Sequence, residues 1–148
     1  HLLTLVSVGT AMTRPAAIAA ERHLTLWFSD IVEPMDGHVL PGVEHVEQIL
    51  AFVRGWDRAA PMVIHCWAGI SRSTASAFVA ACALAPERDE AAIAQALRAA
   101  SPMATPNRRI VAVADEILGR QGRMVAAVAA IGRGADAYEG APFSLALS

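Results

Sequence analysis

A strand, a loop and a helix follow one another in the middle of the chain, and this pattern constrains the fold most. The run MVIH (62–65) is short, apolar and β-branched, and Pro61 precedes it, as in a buried strand. A segment containing Gly69 follows, and a helix is predicted from Arg72 to Pro86. Such strand–loop–helix units build α/β domains, so the pattern predicts a sheet with helices packed on it.

Hydrophobic periodicity predicts the other elements of this α/β domain. Two strands are expected upstream, at residues 1–8 and 22–28. Between Pro41 and Gly55, apolar residues recur at intervals of three and four, which indicates an amphipathic helix. Further helices are expected at residues 89–100, 107–118 and 124–131. The predicted architecture is a central, mostly parallel sheet flanked by helices.

The length and ends of the chain suggest one domain with a short tail. At 148 residues it matches a single domain, which we place at residues 1–133. Residues 134–148 are rich in Gly and Ala and form a tail that either docks or extends. The chain starts at His1 instead of Met, which suggests truncation or processing, and no signal peptide is visible.

Composition argues against several classes of partner. The net charge of -2 gives no general attraction to nucleic acid or to an anionic membrane. The longest apolar run, Ala77–Pro86, is about half of a membrane span, so a soluble protein is expected. Cys66 and Cys82 should lie more than one helical turn apart, which disfavours a disulfide and favours a reducing, cytoplasmic location. Nothing in the sequence indicates an oligomeric state.

The segment HCWAGISRST (65–74) places a thiol and an arginine around the predicted strand–helix junction. At such a junction, backbone N–H groups and the positive end of the helix share one concavity, which suits a phosphate dianion. Gly69 permits a backbone conformation and a close approach that a Cβ would obstruct. The same field favours the nucleophilic thiolate of Cys66, and the Arg72 guanidinium matches two phosphate oxygens. The predicted phosphate loop comprises Cys66, Trp67, Ala68, Gly69, Ile70, Ser71 and Arg72.

HCWAGISRS resembles the H-C-x5-R-[ST] signature of the cysteine-dependent protein tyrosine phosphatase superfamily. Its Ala-Gly-x-Ser-Arg-Ser form is similar to the dual-specificity branch and to bacterial tyrosine phosphatases of that type. LWFSD (26–30) resembles the strand and loop that carry the general acid, and TPNRRI (105–110) resembles a Pro-Asn element that opens a late helix. The helix from Pro41 resembles the one between acid and nucleophile, so the resemblance covers residues 22–118.

The resemblance implies a role for each residue of the loop. Cys66 would attack phosphorus to give a phosphocysteine intermediate, and Arg72 would hold the transferring phosphoryl group. Ser73 would help the thiolate leave when water attacks. His65 would support the loop geometry from behind, although it could equally be a hydrogen-bonded core histidine. Trp67 either shapes the pocket wall or simply packs.

Breaking the phosphate ester also needs an acid to protonate the leaving oxygen. Asp30, at the end of the predicted second strand, matches that role best, and Asp36 and Glu33 in the same loop remain alternatives. No set of His, Cys and carboxylate residues has a convincing zinc spacing, and the reaction implied by the resemblance needs no metal or cofactor.

The leading hypothesis is therefore a phosphomonoester hydrolase, a protein tyrosine or dual-specificity phosphatase. Its substrate would be a phosphoprotein carrying phosphotyrosine, with phosphoserine or phosphothreonine also accepted, or a small phosphate ester. One alternative is a non-catalytic phosphate-binding module of the same fold. Another alternative is a thiolate enzyme of the rhodanese or arsenate-reductase kind. It is less favoured, because Cys66 lies mid-chain and is accompanied by Asp30 and an Arg-Ser ending, which are not expected in such enzymes.

Overall fold

A computed structural model describes residues 1–148 and contains three strands and five α-helices. The strands are β1 (Leu2–Val6), β2 (His23–Trp27) and β3 (Val63–Cys66). The helices are α1 (Val43–Arg54), α2 (Arg72–Leu84), α3 (Glu90–Ala100), α4 (Arg108–Ile117) and α5 (Arg123–Ile131). One 3-10 turn, Ala20–Arg22, precedes β2. Every predicted strand and helix is present, within two residues of its expected bounds.

The sheet is entirely parallel, with the strand order β2-β1-β3. All five residues of β1 are buried, which fits its continuous apolar sequence, because a central parallel strand is covered on both faces. In the register of the sheet, Thr4 of β1 lies between Thr25 of β2 and His65 of β3. The predicted α/β class, with a parallel sheet flanked by helices, is confirmed.

Helix α2 is the most buried helix and contacts α1, α3, α4 and β3. Its small residues, such as Ala75 and Ala81, let neighbouring elements approach closely, while Phe78 and Val79 fill the core between them. Because β3 runs directly into the loop before α2, burial of α2 fixes the position of that loop.

The tail forms no helix or strand, yet it lies against the domain. Phe143, Leu145 and Leu147 pack on the hydrophobic core, and the Arg88 guanidinium donates to the Ala146 carbonyl at 2.8 Å. None of the helices combines the length and apolar character needed to cross a bilayer.

Candidate functional site

The predicted phosphate loop joins the end of β3 at Cys66 to the start of α2 at Arg72. Gly69 has φ of +71°, in the left-handed region that a side chain disfavours, which explains the glycine at this position. No backbone N–H group from Trp67 to Ser73 donates a hydrogen bond to a backbone carbonyl. Consecutive N–H groups without such acceptors at a helix N-terminus are a feature of anion sites.

Three carbonyl groups of the loop accept hydrogen bonds from segments outside it. The N–H to O pairs are Gly140 to Ala68 (2.7 Å), Thr105 to Ile70 (2.9 Å) and Asn107 to Ser71 (3.2 Å). In a trans peptide unit the N–H points opposite to the C=O, and the chain has no cis peptide bond. These bonds therefore direct the N–H groups of Gly69, Ser71 and Arg72 away from the two outer segments, the tail and the segment before α4.

Cys66 lies at the mouth of this loop as a free, partly exposed thiol. Its Sγ is 3.1 Å from the Oγ of Ser73 in the first turn of α2, within hydrogen-bonding distance. The structure therefore brings together the predicted nucleophile and the predicted hydroxyl donor. Cys82 differs, because burial raises the pKa of its thiol to about 12, and it remains a protonated core residue.

Arg72 is only 6% exposed, although it carries a positive charge. Its NH1 group donates to the Phe28 carbonyl at 2.8 Å and to the Ser7 hydroxyl at 3.2 Å, which anchors α2 to the ends of β2 and β1. Its Nε is buried without a hydrogen-bond acceptor, and no carboxylate pairs with the guanidinium. A buried cation without an anionic partner is costly, so the site favours an anion.

Asp30 reaches the loop from the segment after β2. Its Oδ1 accepts from the Ser71 hydroxyl at 2.7 Å and from the Asn107 amide at 2.8 Å. The Asn107 Oδ1 in turn caps α4 by accepting from the N–H groups of Arg109 and Ile110. Asn107 thus ties together the segment that carries Asp30, the phosphate loop and α4.

The other candidate acids lie apart from this contact. Asp36 and Glu33 are exposed and form no hydrogen bond or ion pair with the protein, although Glu33 borders a neighbouring hollow that Asp30 also lines. Of the three carboxylates, only Asp30 forms a hydrogen bond with the loop.

The His65 side chain belongs to a row of polar contacts that links all three strands of the sheet. Its Nε2 is 2.7 Å from the Thr4 hydroxyl oxygen, which is also 2.9 Å from Nε2 of His23. His65 thus anchors the end of β3 just before Cys66, as a positioning residue would. The Trp67 side chain, in contrast, is 81% exposed and does not pack into the core.

Three hollows adjoin the loop, one of them the hollow that Glu33 borders, and the tail lines the other two. A cleft of about 610 Å³ contains Asp30 and Ser71 on one wall and residues 133–138 on the other. A second hollow of about 590 Å³, lined by Cys66, lies between β3, α2 and residues 139–147. No group of three or more His, Cys, Asp or Glu side chains is placed to hold a metal ion.

Ser7, Thr105 and Gly140 contact the site but were not among the predicted site residues. Thr105 lies in the TPNRRI segment, which carried a sequence signal, whereas Ser7 and Gly140 reach the site through contacts between distant parts of the chain. Comparison with protein-family models, curated proteins and solved structures found no match to this chain.

Proposed function

We propose that the chain is a phosphomonoester hydrolase, a protein tyrosine or dual-specificity phosphatase that uses Cys66 as its nucleophile. One observation carries the proposal. Arg72, the first residue of α2, has a buried guanidinium without a carboxylate partner, and the loop before it contains backbone N–H groups that donate to no backbone carbonyl. This combination binds a phosphate dianion, and the thiol of Cys66 stands at its edge.

In the first step, the Cys66 thiolate attacks phosphorus. The S–P bond forms as the ester P–O bond breaks, and the leaving oxygen takes a proton from Asp30. The Arg72 guanidinium and the loop N–H groups stabilise the charge on the nonbridging oxygens during the transfer. The products are phosphocysteine and a free alcohol or phenol.

In the second step, water attacks the phosphocysteine and Asp30, now a carboxylate, accepts the proton of that water. The S–P bond breaks and inorganic phosphate forms. The thiolate leaves with its electron pair, stabilised by a hydrogen bond from Ser73, whose Oγ lies 3.1 Å from Sγ. Both steps balance without a metal ion or a cofactor.

The proposed substrates are phosphotyrosine residues of a protein, together with phosphoserine and phosphothreonine. Small phosphate esters are the alternative substrate class. The exposed Trp67 ring beside the nucleophile would contact the part of a substrate that surrounds its phosphate. We assign the activity to the cytoplasm, because the reaction requires Cys66 as a free thiol and a reducing compartment maintains one.

The direct test is hydrolysis of p-nitrophenyl phosphate in the presence of EDTA at several pH values. We expect turnover by the wild-type chain, loss of turnover to background in Cys66→Ser, and retained turnover in Cys82→Ala. Cys82→Ala is the matched control, since it removes the other thiol from a buried site away from the loop.

Two results would contradict the proposal. Equal turnover by the wild type and Cys66→Ser would show that another group performs the reaction. Absence of turnover in the wild type, combined with tight binding of vanadate, would instead favour a non-catalytic phosphate-binding module.

A further inference from the structure

The C-terminal segment, residues 134–148, crosses the back of the phosphate loop. It is held near its start, where the Gly134 N–H donates to the Thr105 hydroxyl at 3.0 Å. It is held near its end by Phe143 and Leu145, which pack on the core. Between these anchors, Gly140 lies directly against the loop.

The contact at Gly140 leaves no room for a side chain. A Cβ on Gly140 would lie 2.5 Å from the Gly69 carbonyl oxygen and 3.2 Å from the Gly69 carbonyl carbon. The obstructing atoms are backbone, so they cannot rotate away. The two segments would have to separate by about 1 Å before this carbon–oxygen contact became ordinary.

The same residue sets the direction of a peptide unit in the loop. The Gly140 N–H donates to the Ala68 carbonyl at 2.7 Å, so it holds the C=O of the Ala68–Gly69 peptide on the outer side. The N–H of Gly69, which is antiparallel to this C=O within the planar trans peptide unit, then points in the opposite direction, away from Gly140. Ile70 and Ser71 are held in the same manner by Thr105 and Asn107, from the segment before α4.

We propose that Gly140 is a positioning residue of the phosphate loop, and that the docked C-terminal segment is part of the anion site. This inference rests on the proposed function in one respect, that the loop binds a phosphoryl group. Without the bond from Gly140, the Ala68–Gly69 peptide is free to rotate, and one N–H donor of the site loses its fixed direction.

The test compares Gly140→Ala with the matched control Gly55→Ala in the full chain. Gly55 ends α1 with an ordinary φ of -79°, and a Cβ there meets no atom closer than 3.5 Å. Phosphate and vanadate affinity is measured by calorimetry, and kcat and KM with p-nitrophenyl phosphate. We expect Gly140→Ala to weaken anion binding and to raise KM by about 10- to 100-fold, with Gly55→Ala unchanged.

Thermal unfolding separates positioning from a general loss of structure. Because the segment contains no helix or strand and its apolar side chains are only partly buried, we expect the two glycine variants to unfold at similar temperatures. Phe143→Ala provides a second approach, since it weakens docking of the segment without a clash at the loop. It should weaken anion binding in the same direction as Gly140→Ala, and by less.

The outcomes distinguish this inference from the proposed function. Equal anion affinity in the wild type, Gly140→Ala and Phe143→Ala would overturn the role of Gly140. A wild type that binds vanadate without turnover would overturn the hydrolase, while the affinities of the variants would still decide the role of Gly140. A wild type that binds neither anion would overturn both.

Discussion

At the scale of single residues, the Asp30 carboxylate is held by hydrogen bonds to only one of its two oxygens. Its Oδ1 accepts two hydrogen bonds, from Ser71 and Asn107, whereas its Oδ2 has no partner in the protein. The carboxylate is thus fixed against the loop through one oxygen, and the other oxygen is available to carry a proton. This geometry suits an acid that later acts as a base.

We predict that Asp30→Asn lowers kcat by about 10²- to 10⁴-fold with phenyl phosphate, because the variant cannot protonate the leaving oxygen. The loss should be smaller with p-nitrophenyl phosphate, whose leaving group is stable as an anion. Asn keeps an oxygen that can accept from Ser71 and Asn107, so the loop should stay in place. Asp36→Asn is the control, and a large loss in that variant with none in Asp30→Asn would assign the acid to Asp36.

At the scale of secondary-structure elements, an ion cluster around the buried Glu90 joins α3 to α5. Glu90, the first residue of α3, accepts from Arg120 at 2.9 Å and from Arg123 at 3.2 Å. Arg120 also donates to the Cys82 carbonyl at 2.7 Å, which adds α2 to the cluster. Burial acts to raise the pKa of Glu90, but hydrogen bonds from its own backbone and from both arginines outweigh burial and lower it.

We predict that Glu90→Gln lowers the free energy of unfolding at pH 7 by about 3 kcal/mol, because it leaves Arg120 buried without a counter-ion. Urea unfolding measures this difference. The pKa of Glu90 is lowered in the folded state, so its contribution is complete above its ordinary value of 4.5 and is lost as the pH falls through the folded pKa. The two chains should therefore become more similar in acid.

The matched control for Glu90→Gln is Asp136→Asn, which removes a pair that is exposed on both sides, Arg133–Asp136. Its effect should stay below about 1 kcal/mol. An equal loss of stability in the two variants would show that burial does not determine the contribution of the Glu90 cluster.

The elements could be predicted from sequence because the patterns that specify them are local. The apolar run before His65, the spacing of residues between Pro41 and Gly55, and the glycine of the loop all act within one segment. The order of the strands and the path of the tail depend on contacts between segments that are distant in sequence. Gly140 has no local pattern that points to Ala68, so its role required the structure.

At the scale of the whole molecule, two histidines link stability to pH. The pKa of His23 is lowered by burial, then by the nearby charges of Arg14 and His65. Burial also lowers the pKa of His45, although Glu44 acts to raise it. The Gly42 N–H donates to Nδ1 of His45 at 3.0 Å, so protonation of that nitrogen would remove the acceptor that caps α1.

We predict that the free energy of unfolding falls as the pH drops below about 7. The unfolded chain protonates these histidines near their ordinary pKa of 6.5, whereas the folded chain protonates them only at lower pH. The stability that they confer is therefore complete above pH 6.5 and is lost as the pH falls through the folded pKa values.

His45→Gln should flatten this pH dependence, because Gln at the third helical position can still accept from the backbone but does not titrate. His38→Gln is the control, a histidine on an exposed loop whose Nδ1 lies 3.3 Å from the Ser29 hydroxyl oxygen. Urea unfolding at a series of pH values measures both slopes, and equal slopes in the wild type and His45→Gln would show that His45 does not contribute. The loss due to the histidines begins near their ordinary value of 6.5 and the loss due to Glu90 begins near 4.5, so the histidine contribution starts to fall at the higher pH.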